Sequence, residues 1–180
     1  MTARELFNRN TAGGGDDLEL ALGILAHTGV EWCLIGGHAV NHWAAEPVYT
    51  RDIDLVVAAE NLPFAISALQ DGGFRCRQYR FWWNIEGSGD ILMQITTDPR
   101  YGPFIGRAVE VENLSRLGVR AWVAGPEDTL QGKLWAVSDP ERKPSKQWKD
   151  MADLARMVEE RPELADLLPP VIRSQICEKK

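Results

Sequence analysis

Two aspartates separated by one residue form the part of this sequence whose residue types and spacing most directly suggest chemistry. Asp52 and Asp54 begin the run Asp-Ile-Asp-Leu-Val-Val, whose second half has the composition of a β-strand. Side chains at positions i and i+2 leave the same face of a strand, so the two carboxylates are expected to lie side by side. Neighbouring carboxylates raise each other's pKa unless a cation intervenes. A divalent metal supplies that cation, and Mg²⁺ typically combines a few carboxylates with substrate phosphates and water.

A pair of glycines, Gly36-Gly37, ends fifteen residues before Asp52 and complements the aspartates. The apolar run 31–35 before it is predicted to be a buried strand, and the segment HAVNHWAA after it a short helix. Glycines allow a phosphate to approach the backbone closely, and the N–H groups of a helix that starts near His38 can receive that phosphate. Each motif is weak alone. Together, each at a strand end, they favour a site for a metal and a phosphate.

The other elements have to position these two motifs, and they predict a mixed sheet with helices. Strands are expected at 74–79, 81–85, 91–96, 107–111 and 119–123, with a hairpin turn at 86–89. Helices are expected at 18–28, 62–71, from Pro126, at 146–160 and around 163–168. We expect a single domain over residues 1–180, in which residues 1–15 form a flexible lead-in and residues 126–180 a helical C-terminal part.

Composition and charge exclude several classes of protein. The net charge of −6 and the pI of about 5.1 argue against a broad nucleic-acid-binding surface, although a local basic pocket for phosphates remains compatible with them. The three cysteines are widely spaced and predict neither a disulfide framework nor a zinc site. No run approaches the roughly 18 apolar residues of a membrane span, and the N-terminus has no apolar core like that of a secretory signal. The expectation is a cytoplasmic protein without a membrane partner, of undetermined oligomeric state.

The Gly-Gly and Asp-x-Asp units together resemble the nucleotidyltransferase superfamily with a DNA polymerase β-like core. Within it, the chain is similar to small bacterial AbiEii-like toxins and to aminoglycoside nucleotidyltransferases. Those proteins share an apolar strand, a Gly-Gly turn and an Arg/Asp-hydrophobic-Asp strand, and often a Lys-Leu helix followed by a Lys-Asp-x-x-Asp helix. This chain has Lys133-Leu134 and, later, Lys149-Asp150-Met151-Ala152-Asp153. The resemblance therefore spans roughly residues 18–160.

The resemblance implies an α/β fold (α+β), with a mixed sheet flanked by helices and a helical C-terminal segment. It also implies metal-dependent transfer of a nucleoside monophosphate from a nucleoside triphosphate to a hydroxyl acceptor, which is an RNA end, a protein or a small molecule. Asp52 and Asp54 would be catalytic and would hold Mg²⁺ or Mn²⁺. The residues expected to bind the nucleotide are Gly36, Gly37, His38, Arg51, Lys133 and Lys149.

One position departs from the superfamily pattern. A third carboxylate is usual on a neighbouring strand, and the matching strand here, Ile91 to Thr97, has Gln94 at the most natural position. Glutamine cannot act as a general base and is a poor Mg²⁺ ligand. Asp98, Asp90 or Glu86 could substitute from a strand end, and Asp98 is our first choice as the third catalytic acid. The alternative function is a catalytically degenerate nucleotidyltransferase-fold protein, which binds a nucleotide or a partner in a toxin–antitoxin-like pair.

Several of these residues also have simpler interpretations. His38 and His42 share a helix face and could ligate zinc in a hydrolase, but the segment lacks the glutamate of a metalloprotease motif. Lys133 could be a solvated lysine. The tryptophans are more often core residues than stacking platforms, and Trp43, close to the glycine turn, is the candidate for nucleobase stacking. A self-neutralising exposed helix face is the simpler interpretation of Lys146, Lys149, Asp150 and Asp153.

Overall fold

A seven-stranded mixed sheet in the order β3-β4-β5-β2-β1-β7-β6 is the centre of the fold in the computed structural model, which describes residues 1–177. The strands are β1 (Trp32–Ile35), β2 (Asp52–Val57), β3 (Arg75–Gln78), β4 (Trp82–Glu86), β5 (Leu92–Thr96), β6 (Val109–Val111) and β7 (Ala121–Val123). The pairs β2·β5 and β1·β7 are parallel and the other pairs are antiparallel. The mixed sheet expected from the sequence is confirmed.

Eight α-helices flank this sheet within residues 1–177. They are α1 (Ala3–Asn10), α2 (Gly14–Thr28), α3 (Gly36–Trp43), α4 (Leu62–Asp71), α5 (Gly102–Ile105), α6 (Pro126–Val137), α7 (Pro144–Glu160) and α8 (Pro170–Cys177). The helix expected around 163–168 is a 3₁₀ turn at Pro162–Leu167, and α8 follows it without having been predicted. The helical C-terminal segment is confirmed as far as Cys177.

The two faces of the sheet differ because side chains alternate along each strand. One face, which we call the core face, packs against α2 and α4 in the main hydrophobic cluster; its strand residues include Leu34, Ile53, Leu55, Ile85, Met93 and Ile95. The opposite face, which we call the site face, is apolar under β1 and β2, where Cys33, Ile35 and Val56 pack against Phe104 of α5. Towards β4 the site face becomes polar. The candidate functional site lies where the apolar part of the site face meets this polar part.

The flexible lead-in expected for residues 1–15 is not found, and this part of the prediction is wrong. Thr2 caps α1 in a reciprocal capping box with Glu5, and Phe7 of the same helix is buried in the main cluster. Asn8 accepts a hydrogen bond from the backbone N–H of Gly15 at 2.8 Å, which fixes the start of α2. A cap and one buried aromatic residue are therefore enough to order a segment whose three glycines suggested a loose chain.

The C-terminal helices form a second hydrophobic cluster with α3. Its buried members include Val40 from α3, Leu130 and Leu134 from α6, and Leu154 and Met157 from α7. This cluster anchors α6 and α7 beside the helix that follows the glycine pair. Within residues 1–177, no helix combines the length and the apolar character that crossing a membrane requires.

Candidate active site

The pairing of β1 with β2 brings the glycine pair to the second aspartate. Ile35, the last residue of β1, lies opposite Asp54, so Gly36 follows directly beside the Asp54 carboxylate. Gly36 has a φ of +67°, and a Cβ at this position would overlap that carboxylate. At Gly37 a Cβ would come within 3.3 Å of the Thr50 side chain. Gly36 is therefore glycine for two reasons, its backbone conformation and the close approach of Asp54.

We expect Gly36→Ala to destabilise the protein by more than about 1 kcal/mol, because alanine at positive φ is strained and its methyl group would displace Asp54. The matched control is Gly23→Ala in α2, where a Cβ would meet no atom within 4 Å and φ is not positive. Replacing glycine by alanine in a helix interior usually stabilises by roughly 0.5–1 kcal/mol. Urea unfolding of both variants measures the difference. Equal stability changes in the two variants would contradict this account of Gly36.

Asp52 and Asp54 leave β2 on the site face, as the sequence predicted for an i, i+2 pair. Asp52 is about half exposed, and its Oδ2 lies 3.6 Å from the Nζ of Lys146. Asp54 forms no ion pair and accepts no side-chain hydrogen bond from any residue in 1–177. Burial raises the pKa of Asp54 and Asp52 raises it further, against the lowering influence of Lys133, Arg142 and Lys149. The site thus holds a carboxylate whose charge the protein does not pair.

Such a pair fits one divalent cation. Mg²⁺ is commonly held by one or two carboxylates together with substrate phosphates and water, and this pair offers two carboxylates on one face. No cluster of three or more histidine, cysteine, aspartate or glutamate residues suited to a metal exists in the described part of the chain. The protein therefore offers carboxylate ligands for one metal ion, and a second ion would depend on the nucleotide for most of its ligands. His38 and His42 likewise do not belong to a three-ligand zinc cluster.

Gln94 lies directly beside Asp54, because Asp54 is its register partner in the parallel pair of β2 and β5. The amide nitrogen of Gln94 donates to Oδ1 of Asn84, its partner on β4, at 2.9 Å. Asp54, Gln94 and Asn84 thus form a row of polar side chains across β2, β5 and β4 on the site face. The position expected to hold a third carboxylate is occupied by the amide of Gln94. The Gln94–Asn84 bond leaves the amide oxygen of Gln94 as the group able to face a substrate or a metal-bound water.

The structure pairs Asp98 with an arginine. Asp98 follows Gln94 by four residues, which corresponds to about 13 Å along a strand. Its carboxylate accepts hydrogen bonds from the backbone and the guanidinium group of Arg100, and this pairing lowers the pKa of Asp98. The other two candidates are also paired, Asp90 with Arg51 at 3.0 Å and Glu86 with Arg75 at 3.7 Å. Asp98 does line the same cavity as Asp54, so its role as a third acid stays a prediction.

Lys133 is buried and held between two buried aspartates of α7. Its Nζ lies 2.9 Å from Asp150 Oδ1 and 2.7 Å from Asp153 Oδ2. Arg142 and Arg156 complete the network by pairing with Asp150 and Asp153, respectively. Burial by itself lowers the pKa of Lys133, but Asp153 and Asp150 outweigh it and raise the pKa above the usual value for lysine. The amine therefore stays charged at the wall of the cavity that Asp54 lines.

The Lys-Asp-x-x-Asp motif thus has a role that neither sequence interpretation described. Its aspartates are not an exposed face that neutralises Lys146 and Lys149; they are buried and orient Lys133 of the preceding helix. Lys149 is left near Asp54, whose pKa its charge helps to lower, and Lys146 lies near Asp52. These two lysines and Arg142 give the site a basic side.

Arg142 and Lys146 are site residues that the sequence analysis did not select. Arg142 lines the cavity and lowers the pKa of Asp54 through its charge, and Lys146 contacts Asp52. The sequence did contain a signal for these basic site residues, because four basic residues occur within positions 142–149. Of these four residues only Lys149 was predicted to bind the nucleotide, whereas Lys146 was assigned to an exposed helix face.

His38, Arg51 and Trp43 lie outside the cavity that Asp54 lines. His38 is only 2% exposed; its Nδ1 lies 3.2 Å from Ser115 Oγ and its ring packs edge-on against Phe7. Arg51 is turned towards Asp90. The indole N–H of Trp43 donates to the backbone carbonyl of Ala124 at 2.8 Å, which makes this residue part of the C-terminal packing. A contact of His38 or Arg51 with a nucleotide, and of Trp43 with a nucleobase, stays a prediction.

The burial of His38 predicts a dependence of stability on pH. Burial lowers the pKa of His38 to about 4 from its ordinary value of 6.5, so the folded protein keeps the ring neutral where the unfolded chain protonates it. Stability is therefore lost as the pH falls below about 6.5, by up to about 3 kcal/mol near pH 4. Urea unfolding of the wild type and of His38→Asn between pH 8 and 4 checks this. The stability difference between the two should shrink as the pH falls; parallel profiles would exclude His38 as the cause.

Asp54 opens onto a cavity of about 690 Å³, within the range of small-molecule sites. Gly36, Asp54, Gln94, Lys133 and Arg142 form its polar end. The rest of the wall combines charged residues, among them Asp98, Arg100 and Asp128, with five aromatic residues: Phe81, Trp82, Tyr101, Phe104 and Trp135. Asp52, Lys146 and Lys149 are not part of this wall, so the basic side and the cavity meet at Asp54.

The same fold is found in solved structures of nucleotidyltransferases. The antibiotic-resistance factor ANT(2'')-Ia in solution matches with a TM-score of 0.62 and 15% identity, over 89% of this chain and 91% of that one. The lincosamide antibiotic adenylyltransferase LnuA, bound to lincomycin, matches with a TM-score of 0.55 and 16% identity, over 79% and 96%. An antigenic nucleotidyltransferase-like protein from Paracoccidioides brasiliensis matches with a TM-score of 0.55 and 16% identity, over 92% and 97%.

No family model and no curated protein matches this sequence. The chain has the nucleotidyltransferase fold, which is the fold implied by the Gly-Gly and Asp-x-Asp units. At these identities the likeness establishes the fold alone. The closer resemblance to AbiEii-like proteins stays a prediction.

Proposed function

We propose that this protein catalyses nucleotidyl transfer at Asp52 and Asp54. In this reaction the oxygen of an acceptor hydroxyl forms a bond to the α-phosphorus of a nucleoside triphosphate. The bond from that phosphorus to the α–β bridging oxygen breaks, pyrophosphate leaves with the electron pair, and the hydroxyl proton passes to water. The observation that carries the proposal is the unpaired Asp54 carboxylate, which lies beside Asp52 and Gly36 at the junction of a basic surface and a cavity.

The roles of the residues follow from where the structure places them. Asp52 and Asp54 would hold Mg²⁺ or Mn²⁺, which when bound withdraws charge from the phosphate that is attacked. Lys146 and Lys149 of α7 lie near these aspartates and would neutralise the β- and γ-phosphates. Lys133, fixed by Asp150 and Asp153, would keep a positive charge close to Asp54. The backbone N–H groups that follow Gly36 would receive phosphate oxygens.

The nature of the acceptor is part of the proposal. ANT(2'')-Ia in complex with adenylyl-2''-tobramycin and LnuA with lincomycin have the same fold, and their acceptors are hydroxylated antibiotics. A small hydroxylated molecule fits a cavity of about 690 Å³. We therefore rank a small molecule ahead of an RNA end or a protein side chain. A cytoplasmic location, where nucleoside triphosphates are supplied, belongs to the same proposal.

The test is transfer of label from each of the four α-³²P-labelled nucleoside triphosphates with Mg²⁺, using total RNA, lysate protein and a small-molecule extract as acceptors. We expect one acceptor fraction to become labelled by the wild type and not by the Asp52→Asn/Asp54→Asn variant. The same reactions with EDTA should show no transfer of label. Equal labelling by the wild type and the double variant would reject this site as the catalytic centre.

The alternative is a protein that binds the nucleotide without turning it over, including a component of a toxin–antitoxin-like pair. The observation that favours it is Gln94, bonded to Asn84, at the position beside Asp54 where a third acid was sought. Calorimetric titration with each Mg²⁺-nucleoside triphosphate separates the two functions. Nucleotide binding that depends on Asp54, together with no transfer of label to any acceptor fraction, supports the alternative. Absence of nucleotide binding would leave only a partner-binding role.

A further inference from the structure

The cavity that Asp54 lines also has exposed aromatic residues in its wall. Phe81 and Trp82, at the start of β4, are 55% and 37% exposed, although both border the cavity. Tyr79 stacks on Trp82 with the ring centroids 5.6 Å apart and the planes 16° apart, which holds the indole in place. Exposed aromatic rings at a cavity wall are costly unless a ligand covers them, because their apolar surface remains in water. This wall therefore has the character of a stacking surface.

Two of the carboxylates along the same cavity, those of Asp98 and Asp128, are already paired with arginines. Asp98 binds Arg100 through several hydrogen bonds, and Asp128 binds the guanidinium group of Arg107 at 2.7 and 2.9 Å. Asp139 accepts a hydrogen bond from the backbone N–H of Glu141 at 2.9 Å. Arg100 itself lies over the ring of Trp135, 4.8 Å from its centroid. A polycationic ligand would therefore find the charges of Asp98 and Asp128 already neutralised by arginines.

The position of the basic side assigns this cavity to the acceptor. Lys146 and Lys149 lie on the side of the site next to Asp52 and are not among the residues that line the cavity. A triphosphate neutralised by those lysines would occupy that side and leave the aromatic cavity to the molecule that attacks the α-phosphorus. In-line attack requires the acceptor and the leaving pyrophosphate to lie on opposite sides of that phosphorus, which agrees with this division.

We propose that the acceptor is an uncharged hydroxylated molecule with a flat apolar ring, such as an aryl glycoside, and that Trp82 selects it by stacking. The proposal rests on the proposed function, because it names the substrate class for the same site. The acceptor ring lies against Trp82 and Phe81, and its hydroxyl faces Asp54. Its oxygen then bonds to the α-phosphorus, the bond to pyrophosphate breaks, and the proton is released to water. A polyamine sugar is disfavoured because two of the cavity's carboxylates, those of Asp98 and Asp128, are already paired with arginines.

The experiment is calorimetric titration of the full chain, saturated with Mg²⁺ and a non-hydrolysable nucleoside triphosphate analogue. The neutral probe is 4-nitrophenyl β-D-glucoside with its α- and galacto-isomers, and the polycationic probe is tobramycin. We expect at least one glycoside to bind and tobramycin not to bind at 150 mM salt. Trp82→Ala should weaken glycoside binding about tenfold or more, as expected for loss of an aromatic stacking contact. Trp82→Phe should stay within about threefold of the wild type.

Two controls distinguish a failure of this acceptor proposal from a failure of the proposed nucleotidyl transfer on which it rests. Trp148→Ala removes a tryptophan that is 75% exposed on α7 and does not border the cavity, so it should leave glycoside affinity unchanged. Affinity for the nucleotide is measured for every variant and should not change in Trp82→Ala. Nucleotide binding with no glycoside binding, or with tighter binding of tobramycin, would overturn the acceptor class alone. A loss of nucleotide affinity in Trp82→Ala would show that the cavity holds the nucleobase, and no nucleotide binding by the wild type would reject both proposals.

Discussion

Asp54→Asn should reduce nucleotidyl transfer by about a thousandfold or more while raising the melting temperature of the protein. The loss of rate follows from removing a metal ligand, since charge stabilisation by a bound metal contributes several kcal/mol to such reactions and each 1.36 kcal/mol is a factor of ten. The gain in stability follows from the surroundings of Asp54. Its carboxylate lies beside Asp52, is largely withdrawn from water, and has no ion-pair partner among residues 1–177. An amide of the same size removes that unpaired charge.

Asp98→Asn is the matched control for this result. Asp98 lines the same cavity, but its carboxylate is held by Arg100 and lies about four strand residues beyond Gln94. We expect its transfer rate to stay within about tenfold of the wild type, and its melting temperature to fall slightly. Steady-state label transfer and thermal unfolding, measured on both variants, provide the comparison. If Asp98→Asn loses as much activity as Asp54→Asn, the third acid is Asp98 and our account of its position is wrong.

Asp150→Ala should destabilise the protein by about 3–5 kcal/mol, the cost typical of removing one partner from a buried ion pair. Asp150 is 1% exposed and binds both Lys133 and Arg142, at 2.9 and 2.8 Å. Its loss leaves the buried amine of Lys133 with Asp153 alone. For a chain of this length, this corresponds to a fall in melting temperature of very roughly 6–20 °C. The affinity for nucleotide should fall as well, because Lys133 is no longer held at the cavity wall.

The exposed pair of Asp166 with Arg173 supplies the control for the buried network. Asp166 is 78% exposed in that pair, and exposed ion pairs contribute little to stability, so Asp166→Ala should be close to neutral. A double-mutant cycle with Lys133→Met and Asp150→Leu measures the coupling directly. We expect the double variant to be less destabilised than the sum of the single variants. Additive changes would mean that Lys133 and Asp150 do not depend on each other.

The chemistry at Asp54 was largely predictable because it is local in sequence. The i, i+2 spacing fixes the common face of Asp52 and Asp54, and the glycine pair at the end of an apolar run marks the strand that meets them. The superfamily pattern placed Gln94 on a neighbouring strand at the position of the third acid, and Gln94 is indeed the register partner of Asp54 on β5. Helix α4 was predicted with its observed bounds, Leu62–Asp71, from its proline and glycine signals.

What could not be predicted depends on contacts between distant segments. A lysine of α6 and two aspartates of α7 become partners only when the helices pack, so the sequence suggested an exposed face where a buried network exists. His38 follows the glycine pair, yet the packing of α1 against the sheet buries it under Phe7. The pairing of Asp98 with Arg100 was visible in the sequence only as a turn. Tertiary packing decides which charged side chains remain free to act.

The most direct test of the central claim is a crystal structure of the full chain soaked with Mn²⁺ and a non-hydrolysable nucleoside triphosphate analogue, with anomalous data that locate the manganese. We predict an anomalous peak contacted by the carboxylates of both Asp52 and Asp54, with the phosphates extending towards Lys146 and Lys149. A nucleotide bound without manganese at these aspartates, or manganese held elsewhere, for example at Asp98, would contradict the account.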